Sequence, residues 1–366
     1  MWPDRRLFDL LGIEHPLVLA PMAGFGTVEL AASVCDAGGL GSIGCATMPP
    51  QKADEAIGEL RRRTGKPINV NFFCHAPARA EADREQAWRE RLLPYYRELG
   101  IEPEPQSRLD LAPFGEAMCE IVEHARPEVL SFHFGLPPAP LLARVKAAGC
   151  RVMSSATTVE EAIWLEAHGA DAVIAQGYEA GGHRGTFLGA DLNHAMASQP
   201  STLALVPQIA DAVGVPVIAA GGIADGRGIA AAFALGASGV QMGTAFLRCP
   251  EAATPPLHRD ALRRARGDAT LLTNVFTGRP ARALANRLAL ELGPIAEAAP
   301  DFPLPMGELP PLRARAERQG RSDFTPLWSG QAAPLATEMP ARALTRKMAQ
   351  DAIGRFRELG SAGKAA

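Results

Sequence analysis

The chain has 366 residues, and 37 Lys and Arg stand against 40 Asp and Glu, a formal net charge of −3. With only short basic clusters, at 61–63 and at Arg263, Arg264 and Arg266, it lacks the basic stripe that neutralises phosphates, so no nucleic-acid partner is expected. No apolar run reaches the roughly 20 residues of a spanning helix, and the start MWPDRRLFDLLG carries acids where a signal peptide is basic and then apolar, so a cytoplasmic protein without membrane attachment is expected.

In chain order, eight short runs rich in apolar and β-branched residues read as strands: 17–20, 40–43, 68–73, 129–134, 151–155, 172–175, 215–219 and 240–242. They lack in/out alternation, the pattern of parallel strands covered on both faces. Ala-rich amphipathic segments between them, such as 159–168, 207–213 and 226–235, read as helices. Eight β/α units fit an α/β fold of the (β/α)8 TIM barrel type. Residues 76–113 break the rhythm with a charged, Pro-dotted insertion, and after about residue 250 the chain becomes Pro-rich and helical. The expected division is a barrel from 1–75 and 114–250, with a smaller, mainly helical second domain from 76–113 and 251–366. Six cysteines form no CxxC pair and no cluster with histidine, which reads as free core thiols and no metal site.

Four constellations at strand ends could carry chemistry. Strand one ends in APMAG at 20–24, where Pro21 fixes φ and Ala23 and Gly24 permit close approach of a flat ligand. In the third run, period-two facing puts Asn69, Asn71 and Phe73 on one side, with amides that can bind a heterocycle edge. After the sixth run, GYEAGGHRG at 177–185 is too glycine-rich for a helix interior and projects His183 from a loop at the catalytic rim. Arg184 reads more as a loop tether than as a catalyst. Runs seven and eight end in AGGIADG at 220–226 and QMGTAF at 241–246, glycine turns before helix starts that suit a phosphate. A phosphate site after strands seven and eight favours the barrel over an open doubly wound sheet.

On these residues the chain resembles the nitronate monooxygenase family, FMN-dependent barrels with a smaller helical domain. The resemblance is carried by PMAG at 21–24, NVNFF at 69–73, SFHFG at 131–135, QGYEAGGHRG at 176–185, AAGGIADGRG at 219–228 and GVQMGTAF at 239–246; TNVFTGRPARALANR at 273–287 and LWSGQ at 327–331 extend it. It implies that Ala20, Pro21 and Met22 line the isoalloxazine of FMN and that Asn71 and Gln176 make polar contacts with it. Gly181, Gly182, Gly221, Gly222, Gln241, Met242, Gly243 and Thr244 complete the implied cofactor site, chiefly around the ribityl phosphate. His183 matches the catalytic histidine, and His133 and Arg184 are placed on the substrate side.

The implied reaction is oxidation of an alkyl nitronate, or of a nitroalkane, by FMN and molecular oxygen to a carbonyl compound and nitrite. An FMN-dependent enoyl-acyl-carrier-protein reductase that uses NAD(P)H shares PM-G, EAGGH and GGIADGRG, but tends to have Ile in place of Arg184. Two other readings are a non-catalytic flavin-binding protein and a phosphate-binding barrel without flavin. The oligomeric state stays open, a homodimer being one option.

Overall fold

The computed structural model describes residues 1–79, 81–103, 111–189 and 192–362. Eight parallel strands form its centre: β1 (Leu17–Leu19), β2 (Gly41–Gly44), β3 (Ile68–Phe73), β4 (Val129–His133), β5 (Arg151–Ala156), β6 (Ala172–Gln176), β8 (Val217–Ala220) and β9 (Gly239–Met242). A two-residue strand, β7 (Gly182–His183), lies between β6 and β8 in the chain but outside this sheet. The order β1-β9-β8-β6-β5-β4-β3-β2 brings β2 round to β1, where Val18 and Leu40 form a parallel bridge. The sheet is thus a nearly closed barrel, and each predicted strand falls within two residues of its run.

Burial explains the continuous apolar runs. Val18, Val129, Met153, Ile174 and Ile218 gather inside the barrel with Leu7 and Leu11 of helix Arg6–Leu11. Leu17, Leu19, Leu130, Val152, Val173 and Val217, at alternate positions, pack outward against the helices. Side chains cap the helices that follow the strands: Thr27 accepts from Leu30 N–H, Thr158 from Glu161 N–H and Ser201 from Ala204 N–H. The last cap places a helix at Thr202–Ala212, five residues ahead of the expected start, with Pro207 inside it. The six cysteines are free thiols.

Beyond residue 250 the chain is mostly helical but also holds a small sheet. Strands β10 (Thr270–Thr273) and β11 (Ala281–Leu284) pair antiparallel, and β11 also takes β7 on its other edge, with Ala281 opposite His183. Trp88, Leu92, Tyr95 and Tyr96 of the inserted helix Ala82–Glu98 pack with Phe276, Leu288, Leu312 and Phe324 in one cluster. The final helix Ala341–Ala362 instead places Ala341, Leu344, Met348 and Ala352 in the barrel's outer core. Among the described residues, no helix is long and apolar enough to cross a membrane.

Candidate active site

A cavity of about 670 Å³ opens at the C-terminal ends of the barrel strands. Ala20, Pro21 and Met22 after β1, Asn71 and Phe73 of β3, His133 of β4 and Gln176 of β6 line it. Gly221 and Gly222 after β8 and Gln241, Met242, Gly243 and Thr244 at the end of β9 line it too, β9 lying next to β1. Thr277, Phe302 and Trp328 come from outside the barrel, and Gly181, Gly182 and His183 complete the lining.

His183 is held by its backbone and by its ring. Its carbonyl accepts from Gln176 Nε2 at 2.9 Å and from His133 Nε2 at 3.1 Å. Because a carbonyl only accepts, His133 carries its proton on Nε2, and its Nδ1 accepts from the Ser155 hydroxyl at 3.0 Å. The His183 ring places Nε2 3.0 Å from Thr277 Oγ1 and lies 5.4 Å from Phe302 and 5.5 Å from Trp328. Burial, with His133, Arg279 and His75 nearby, lowers the His183 pKa to about 3, and burial does the same for His133. Both imidazoles are therefore neutral at ordinary pH.

The remaining polar groups test whether the cavity suits a flavin phosphate. Gln241 Oε1 is buried with no hydrogen-bond partner among the described residues, which calls for a ligand donor. Asn71 spends Nδ2 on the carbonyl and hydroxyl of Ser131, both at 3.1 Å, and its Oδ1 has no partner among the described residues. The amides of Gly222, Gly243 and Thr244 donate to no acceptor among the described residues, so the ends of β8 and β9 offer a cluster of unpaired donors. Gly221, at φ +116°, has room for no side chain: a Cβ there would sit 2.9 Å from Thr202 Oγ1 and 3.0 Å from Ala180 N. These groups fit a flat heterocycle with an anionic tail. Among the described residues, no group of three or more His, Cys, Asp or Glu is placed to hold a metal.

The family model for nitronate monooxygenase matches residues 4–351. The nitronate monooxygenase of Pseudomonas aeruginosa is 44% identical over 352 residues, covering 95% of this chain and 99% of that one. The chain belongs to the nitronate monooxygenase family. A structure of nitroalkane oxidase from Streptomyces ansochromogenes superposes with a TM-score of 0.88 at 38% identity, covering 97% of this chain and 99% of that one. FabK from Thermotoga maritima is more distant, with a TM-score of 0.72 at 30% identity over 99% of this chain and 100% of that one. Nitronate monooxygenases are flavin-dependent oxidoreductases, and this chain is one of them.

Three residues have structural roles beside or in place of those the resemblance implied. Arg184 is 1% exposed and lies off the cavity: it donates to the carbonyls of Gln176 and Gly177 and to Gln199 Oε1. The chain extends through His183 to Arg184, whose N–H bonds Pro280 O, so adjacent side chains face opposite ways and Arg184 is a tether, not a substrate-side group. Gln176 spends Oε1 on Gly185 N–H at 2.8 Å and Nε2 on His183 O, so its amide splints the histidine segment from both sides. Gly181 is small because the chain at Ser329 and Gly330 crosses it; a Cβ there would lie 2.5 Å from Gly330 N.

The helix start after β8 also departs from expectation. Asp225 caps Gly226–Ala234 by accepting from Arg227 and Gly228 N–H, so a carboxylate already occupies that helix end. The unpaired amides lie earlier, in the glycine turn. Thr277, Phe302 and Trp328 escaped residue-level reading altogether. Only the likeness of 273–287 and 327–331 to the family signalled two of them, and Phe302 had no signal.

Proposed function

We propose that this enzyme uses FMN and molecular oxygen to oxidise alkyl nitronates, and the nitroalkanes that give rise to them, to an aldehyde or ketone and nitrite, without NAD(P)H. The observation that carries this reading is a neutral, doubly anchored His183 in a cavity that also presents the unpaired Gln241 Oε1 and free amides. FMN, when bound, supplies the acceptor for the substrate's electrons and the reaction with oxygen.

Ala20, Pro21 and Met22 offer a flat wall for the heterocycle, and Asn71 and Gln241 offer amides for its polar edge. Gly221, Gly222, Gly243 and Thr244 would hold the phosphate through main-chain N–H groups. His183 holds the substrate and takes the α-proton when a neutral nitroalkane enters. Phe73, Phe302 and Trp328 exclude water around it. These substrate-side walls come partly from the segments outside the barrel, which is where we place the determinants of chain length.

Purified, flavin-loaded protein should consume oxygen and release nitrite with ethylnitronate or propionate 3-nitronate, and His183→Asn should stop nitroalkane turnover while leaving the flavin bound. Absence of oxygen uptake with every nitronate would overturn the proposal. Rapid anaerobic bleaching of the flavin by NADH would favour the enoyl reductase reading.

A further inference from the structure

We infer that Thr277 is the positioning residue that decides which ring nitrogen of His183 carries the proton, leaving Nδ1 as the proton-accepting atom. This rests on the reading of His183 as the residue that meets substrate. Thr277 lies between β10 and β11, 94 positions after His183, and its Oγ1 is 3.0 Å from Nε2. The same hydroxyl lies 3.1 Å from Arg279 O, to which it donates. A hydroxyl has one proton to give. With that proton on Arg279 O, Oγ1 meets Nε2 as an acceptor, so Nε2 carries the hydrogen and Nδ1 a lone pair.

The opposite arrangement is poorer by a full hydrogen bond. Turning the hydroxyl toward Nε2 would strip Arg279 O of its donor and put a proton on Nδ1, which has no acceptor among the described residues. The arrangement that keeps both hydrogen bonds of Thr277 is the more stable one.

The loop bearing Thr277 is itself fastened to the histidine segment. The Arg279 guanidinium donates to Thr186 O and stacks 3.9 Å above the ring of Phe134, whose centroid is 4.5 Å from that of His133. His183, Thr186, Arg279 and Thr277 thus close a ring of contacts that fixes the imidazole relative to the cavity. In the proton step, the α-hydrogen of a nitroalkane passes to Nδ1. The C–H electron pair becomes the C=N bond of the nitronate, the negative charge moves to the nitro oxygens, and Nε2–H stays on Thr277.

The test is a long-range 1H–15N correlation spectrum of flavin-loaded protein labelled in the imidazole nitrogens, with His183 assigned by its loss in His183→Asn. A proton on Nε2 in the wild type, its loss or mixing in Thr277→Val and its return in Thr277→Ser are expected. In nitroalkane turnover, Thr277→Val should lower kcat by about 10-fold, the worth of one hydrogen bond, with KM changing less. A wild-type spectrum with the proton on Nδ1 would overturn the inference, as would an unchanged spectrum and kcat in Thr277→Val. Should Thr277→Val fail to fold, the wild-type and Thr277→Ser spectra decide. If no nitro compound turns over, the functional reading fails while the spectrum still reports the tautomer.

Discussion

Gln176 Nε2 donates to the carbonyl of His183 at 2.9 Å, and the same side chain accepts from Gly185 N–H at 2.8 Å. An amide at the end of a barrel strand therefore sets the path of the histidine segment, and His133 adds a second donor to the same carbonyl. Gln176→Ala leaves a buried amide without an acceptor and weakens one carbonyl, a cost of roughly 2 kcal/mol. Thermal unfolding should show a clear drop in Tm, and nitronate turnover should fall with it; an unaltered Tm would contradict the splint.

Arg184 makes a sharper contrast between tether and substrate contact. Its guanidinium serves three acceptors that a lysine cannot span in one plane. Arg184→Lys is expected to lower Tm while leaving KM for small nitronates within about twofold, since the side chain lies off the cavity. A large rise in KM at unchanged Tm would put Arg184 back on the substrate side.

Acid should destabilise the fold through its histidines. Burial holds His133 and His183 at about 3 and His258 at about 4, below their value in the unfolded chain. Between the unfolded pKa near 6.5 and these values, the unfolded state binds protons that the folded state refuses, so stability falls as pH drops through that window and is flat above it. Urea midpoints measured from pH 7.5 to 4 should fall, and His258→Phe should reduce the slope; a flat profile would argue against neutral buried imidazoles.

Gly221→Ala should give protein that folds poorly or purifies without flavin, because its Cβ would meet Thr202 Oγ1 and Ala180 N and its φ of +116° disfavours an L side chain. Gly222→Ala, at φ +70° with 3.4 Å to the nearest atom, has space and is expected to fold. Its strain, about 1 kcal/mol, should appear as weaker flavin binding in a fluorescence titration. Equal flavin affinity in both variants would remove the glycine turn from the phosphate site.

The barrel was legible because parallel strands buried on both faces must be apolar along their whole length, and glycine turns mark where each one ends. Runs such as 68–73 and 172–175 carry that signature without competition from surface positions. The small sheet left no such trace: β7 has two residues, and ARAL at 281–284 buries an arginine among alanines. For Arg184 the residue reading as a loop tether agrees with its contacts, whereas the substrate-side place implied by the resemblance does not, because the extended backbone turns it away from the face of His183. The helix expected from residue 207 starts at Thr202, where Ser201 supplies the cap and Pro207 falls inside. Thr277 stayed hidden because its importance lies in one proton's direction, which only the surrounding acceptors determine.

The pairing of β7 with β11 has a bearing on synthesis. A nascent chain that has released all eight barrel strands still lacks Ala281, the partner of His183, and the final helix that completes the barrel's outer core. At that stage the histidine is also without its small sheet, its hydroxyl partner Thr277 and its neighbour Trp328. Scaffold and site are therefore both completed by the polypeptide that leaves the barrel and comes back to it.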